Sequence, residues 1–189
     1  MSEGKARFSL REALRTDILR YRALNGRPSS RVGFVGWLSL LSPRLLPNLL
    51  IRLAYRLSLW RLGPIARILS LTAYVLFGIE VASQCEIGPG LFLPHTQGTV
   101  IGAGRIGRDC TIYQGVTIGA RELDMDFASA RRPVIGDDVV VGAGAKVLGP
   151  IEIGAGSRIG SNANVIQSLP PNSLALAPAA EVRSRAEQS

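Results

Sequence analysis

From Ile135 onward an aliphatic residue returns at every sixth position: Ile135, Val141, Val147, Ile153, Ile159 and Val165. An earlier run reads Val81, Ile87 and Leu93, slips by one residue, and resumes at Val100, Ile106, Ile112 and Ile118. A period of six fits neither an α-helix nor the two-residue alternation of a half-buried strand. It fits a parallel β-helix, in which one inward residue per short side stacks on its counterpart in the next coil. Three hexads make one triangular coil, so the 13 inward positions make four to five coils. Several inward residues are followed directly by glycine, Gly88, Gly107, Gly119 and Gly136 among them, which suits corners where neighbouring coils approach closely. Between Ile118 and Ile135 the spacing is 17, not a multiple of six. The polar segment ARELDMDFASARRP (120–133) is therefore expected to project as a loop, a usual place for binding groups on a rigid scaffold.

The first part of the chain has a different pattern. Ser9-Leu-Arg-Glu12 reads as a capping box: Ser9 accepts a backbone N–H and Glu12 reaches back. Leu14, Ile18 and Tyr21 follow at helical spacing, which predicts a helix over 10–24, ended by Gly26 and Pro28. Pro43, Pro47 and Pro64 divide the apolar stretch after residue 33 into helices at about 34–41, 45–62 and 64–77. The expected fold is mainly β with an α-helical N-terminal part. The helical part occupies 1–78 and the β-helix 79–170, with Pro170-Pro171 closing the last coil. A tail over 171–189 packs briefly before its charged end frays.

Charge separates the same two regions. Residues 1–80 hold 13 Lys and Arg against 4 Asp and Glu, whereas residues 81–189 hold 9 against 10. The basic part lacks the interleaved aromatics that stack bases, so nucleic acid is not the expected partner. Two readings stay open for it: a helical packing or oligomer surface with solvated arginines, or a basic, apolar surface resting on an anionic membrane face. The longest uncharged apolar run, Ile68–Ile79, is too short to span a bilayer, and the N-terminus lacks a secretory signal core. Cys85 and Cys110 each fall four residues after an inward aliphatic, where a small buried side chain belongs, and read as free thiols. The expected location is cytoplasmic, extending to the inner face of the membrane if the basic surface binds there.

His95, in LPHTQG, is the only histidine and stands where the hexad register slips. It reads either as a corner residue without a role or as a general base, because neutral imidazole accepts a proton near neutral pH. Glu80 precedes it by 15 residues, close to one coil, and is the candidate to orient its ring; the alternative for Glu80 is pairing with an N-terminal arginine. One histidine and two scattered cysteines make no zinc site, so no metal is expected. GAGAKVLG (142–149) mimics a phosphate loop but falls on coil corners.

Gly78-Ile79-Glu80, LFLPHTQGTVIG (91–102), TIYQGVTIGA (111–120) and VIGDDVVVGAGAKVLGPIEIG (134–154) resemble the serine acetyltransferase family of hexapeptide-repeat acyltransferases. The resemblance implies a left-handed parallel β-helix, homotrimers or dimers of trimers, an active site between subunits, and acetyl-CoA as the acyl donor. It places His95 on the family's catalytic histidine and Glu80 on its acidic partner. It puts Gly119, Ala120, Ala143 and Ser161 along the CoA channel, with Lys146 and Arg158 near the CoA phosphates. Three departures stand out. The Asp-His pair usual for binding serine is Pro94-His95, the Arg-His-Pro of the projecting loop is Arg131-Arg132-Pro133, and a His-Pro pair after the acidic residue is replaced in VASQ (81–84). These changes make the pattern more similar to the exopolysaccharide and colanic-acid branch of serine-acetyltransferase-like enzymes. The expected acceptor is then a sugar hydroxyl, free or lipid-linked, with Arg131 and Arg132 on the substrate side. The alternatives are serine O-acetylation in cysteine biosynthesis and a non-catalytic scaffold.

Overall fold

The computed structural model describes residues 8–124 and 126–181; the charged end of the tail lies outside them. Helix α1 (Leu10–Leu24) starts at Ser9, whose Oγ accepts the Glu12 N–H at 3.0 Å. The Glu12 carboxylate lies 3.7 Å from the Arg108 guanidinium rather than completing a capping box. Helix α2 (Phe34–Leu38) tightens into a 3-10 turn (Ser39–Leu41), so the single helix expected over 34–41 is two short pieces. Helices α3 (Leu46–Leu59) and α4 (Gly63–Phe77) each carry proline in the first turn, where the missing N–H costs nothing. Gly78 ends α4 in the left-handed region (φ +62), a conformation that glycine adopts without steric cost.

From Ile79 the chain winds into a left-handed parallel β-helix with three faces. The first face stacks Ile79–Val81, Thr99–Ile101, Thr117–Gly119, Lys146–Leu148 and Asn164–Val165. The second stacks Glu86–Ile87, Arg105–Ile106, Val134–Ile135 and Glu152–Ile153. The third stacks Thr111–Ile112, Val140–Val141, Arg158–Ile159 and Leu174–Ala175, with Phe92 bridging to Thr111. Val147 pairs with Val165, 18 residues on, which is three hexads per coil. Ile118 pairs with Val147, 29 residues on, and the excess is the loop after Gly119. The close stacking explains the corner glycines: a Cβ on Gly107 would lie 2.5 Å from the carbonyl carbon of Gly136 in the next coil.

Two registers differ from the hexad reading. Ile101, not Val100, points inward: Ile101 is 1% exposed and Val100 37%. The slip at His95 is therefore two residues long. The ladder also continues beyond Pro171, because Leu174–Ala175 pairs with Arg158–Ile159.

The inward aliphatics form one continuous core that takes in Leu50, Ile51 and Ala73 from the helices. A buried polar cluster fastens α1 and α3 to the first coil. Asp17, fully buried, accepts from Arg52 at 3.0 Å, from Asn48 at 3.1 Å, and from the backbone N–H groups of Gly90 and Leu91 at 2.8 and 2.9 Å. Arg52 also donates to the carbonyls of Ile87 and Gly88, so both charges are fully engaged.

Candidate active site

His95 sits on an outward bend between the third and first faces. Nine residues separate Phe92 from Ile101, where seven separate their ladder partners Thr111 and Ile118. The surplus lifts the segment around His95 out of the coil, as a bulge does in a sheet. Three hydrogen bonds hold the bend: Thr96 Oγ1 to the Phe77 carbonyl at 2.7 Å, Gly98 N–H to the Gly78 carbonyl at 2.9 Å, and an Arg44 guanidinium N–H to the Pro94 carbonyl at 2.8 Å. His95 is exposed and lines an open cleft of about 330 Å³ with Pro43, Arg44, Pro94, Thr96 and Gln97.

Glu80 lies at the centre of the first strand, exposed, opposite Val100. Among the described residues no hydrogen bond or ion pair joins it to His95. The two groups stand on adjacent coils, with Gly98 stacked on Gly78 and Val100 on Glu80, and do not form an oriented pair within one chain.

The corner carrying His95 is a continuous stack. Gly115 N–H donates to the Gln97 carbonyl, Gly144 N–H to that of Gln114, and Asn162 N–H to that of Ala143. Ala143 and Ser161 lie in this stack, and the Lys146 ammonium reaches back to it, donating to the Gly115 carbonyl at 2.7 Å. Arg158 stands on the third face and pairs with Asp138 at 3.0 Å. Gly119 and Ala120 lie at the opposite edge of the first face, where the loop departs. A Cβ on Gly119 would meet nothing within 4 Å. Ala120 and Arg131 line a second cleft of about 460 Å³ with Leu123, Pro150, Ile151 and Ile166. Arg121 and Glu122 line it too, so apolar walls stand beside two arginines and one carboxylate. The residues singled out in the sequence thus divide between two corners of the prism.

Arg132 is not free to bind a ligand. Its guanidinium donates to Asp124 Oδ2 at 2.9 Å, to the Asp124 carbonyl at 3.0 Å and to the Gly102 carbonyl at 2.9 Å, and stacks 4.1 Å above the Phe127 ring. It pins the loop to the coil. Asp124 also accepts the Ala128 N–H; that bond, then Arg132, holds its carboxyl below the usual carboxylate range. Arg131 stays exposed at the second cleft. Both thiols are buried, and burial pushes Cys85 up to about 12 and Cys110 up to about 11, so neither is a nucleophile at neutral pH. The part played by Arg44 had no sequence signal, because it meets Pro94 across 50 residues of chain.

Residues 132–167 match the family model for the bacterial transferase hexapeptide (six repeats). Serine acetyltransferase of Helicobacter pylori is 47% identical over 138 residues, which span 72% of this chain and 79% of that protein. The chain belongs to the serine acetyltransferase family. Members of that family are acyltransferases, and this chain is one. The Mycobacterium tuberculosis serine acetyltransferase is 40% identical over 136 residues, covering 57% of its own length. A Neisseria gonorrhoeae serine acetyltransferase solved in complex with serine superposes with a TM-score of 0.72 at 28% identity, covering 87% of this chain and 65% of that one. A serine acetyltransferase solved in complex with CoA gives 0.76 at 27%, covering 89% and 67%. These relatives are serine acetyltransferases rather than members of the exopolysaccharide branch expected from Pro94 and Arg132.

Proposed function

We propose that the protein is a serine O-acetyltransferase that moves the acetyl group of acetyl-CoA to the hydroxyl of L-serine. The supporting observation is the 47% identity to a serine acetyltransferase over 138 residues, because a stretch of that length in a 189-residue chain necessarily includes His95. His95 accepts the hydroxyl proton as the oxygen attacks the thioester carbonyl. The ester C–O bond forms, the C–S bond breaks, and the proton passes to the departing sulfur, releasing CoA as thiol. Glu80 orients the imidazole once the acceptor and a neighbouring subunit close over the two adjacent coils.

The two-corner arrangement supports a homotrimer. A second copy that sets its loop corner against the His95 corner of the first unites His95, Ala143 and Ser161 with Gly119, Ala120 and Arg131. Arg131 then takes an anionic group of serine or of CoA, with Lys146 and Arg158 on the phosphate side.

The test is an acceptor panel that follows free CoA thiol. Turnover on L-serine well above the rate without acceptor supports the reading. Turnover on monosaccharides and nucleotide sugars but not on serine would move the acceptor to the carbohydrate class, in line with the missing carboxylate at Pro94.

A further inference from the structure

We propose that the outward face of α4 is a docking surface for an anionic lipid membrane. One side of α4 packs on the molecule through Ala66 and Ala73. The rest of its surface is apolar and uncovered: Ile68 is 62% exposed, Leu71 59% and Val75 70%, with Ile65, Tyr74 and Leu76 also exposed. At 100° per residue, the six fall on an arc of about 200°, interrupted only by Arg67 and Thr72. Trp60, 69% exposed, and Leu62 extend the patch to the turn before the helix. An apolar face of this breadth marks a partner.

The charge pattern selects the partner. Between Asp17 and Glu80 the chain has nine arginines and no Lys, Asp or Glu. Arg61 borders the patch and Arg67 stands within it, both exposed. A second copy of this face would bring arginine against arginine. An anionic bilayer neutralises them and takes up the aliphatic side chains, with Trp60 and Tyr74 suited to the headgroup level. Among the described residues no single helix is long and apolar enough to cross a membrane, so the helix lies along the surface.

The experiment floats the purified full chain with vesicles of phosphatidylglycerol and phosphatidylcholine, and with phosphatidylcholine alone. The expected result is recovery with the anionic vesicles at low salt, a several-fold fall at 0.5 M salt, and little recovery with neutral vesicles. The double variant Leu71→Glu/Val75→Glu should lose recovery at least tenfold while keeping its oligomeric size and its acetyl-CoA-dependent thiol release. Absent binding to anionic vesicles, equal binding to neutral ones, or undiminished binding by the double variant overturns the proposal. So does a variant whose main change is a smaller assembly, because a second copy of the chain would then be the occupant.

Discussion

The Arg132 guanidinium lies 2.9 Å from the Asp124 carboxylate and closes the projecting loop onto the β-helix. The same side chain reaches the Gly102 carbonyl, and a Cβ at Gly102 would lie 2.5 Å from it. An arginine that reads as a substrate ligand in the sequence is thus spent on shaping the loop that presents Arg131.

Arg132→Ala leaves a buried carboxylate (4% side-chain exposure) and a carbonyl without their donor, and should cost about 1–3 kcal/mol. Arg132→Lys should recover little, because an ammonium cannot match the planar fork. Limited proteolysis within 120–133, followed with thermal melting, checks this; an Arg132→Ala loop as resistant as the native one would contradict the assignment.

Asp124 sets an acid limit on loop order. Its folded carboxyl is held below the ordinary value, so the stabilisation is present above the unfolded pKa of about 4 and disappears as pH falls through the lower folded value. Proteolytic protection of the loop should be flat from pH 7 to about 5 and drop below about 4. In Asp124→Asn the acid dependence should vanish.

The buried Asp17–Arg52 pair should matter more for stability than any surface ion pair. Removing Asp17 leaves the Arg52 charge buried and the Gly90 and Leu91 N–H groups unpaired, so Asp17→Ala should cost about 3–5 kcal/mol in denaturant unfolding. Removing the exposed Asp138, partner of Arg158, should cost under about 1 kcal/mol.

Cys85 and Cys110 should react with an aromatic disulfide reagent only on unfolding, since both are buried and held as thiols. Rapid labelling of the native protein at pH 8 would contradict the core packing.

The hexad pattern made the β-helix legible because every coil repeats one demand, an aliphatic side chain at the centre of each face. The helix starts were legible because Ser9, Pro47 and Pro64 each mark a first turn. The slip beside His95 was visible, but Val100 and Ile101 are both aliphatic, and only the ladder partners decide between them. The Asp17 cluster and the Arg44–Pro94 contact join residues 31 to 74 positions apart, which no local pattern encodes. The locking of Arg132 depends on the path of a loop without a repeat. The acceptor was the least legible feature: Pro94 pointed to a sugar, whereas the relatives at 40–47% identity are serine acetyltransferases.

The most direct test of the account is the rate of CoA thiol release from acetyl-CoA and L-serine by the native protein and by His95→Ala of matched oligomeric size. A general base at the bend requires the variant to fall by about 10²–10⁴ while its affinity for CoA is retained. A variant that acetylates serine at the native rate would show that the imidazole takes no part in the transfer.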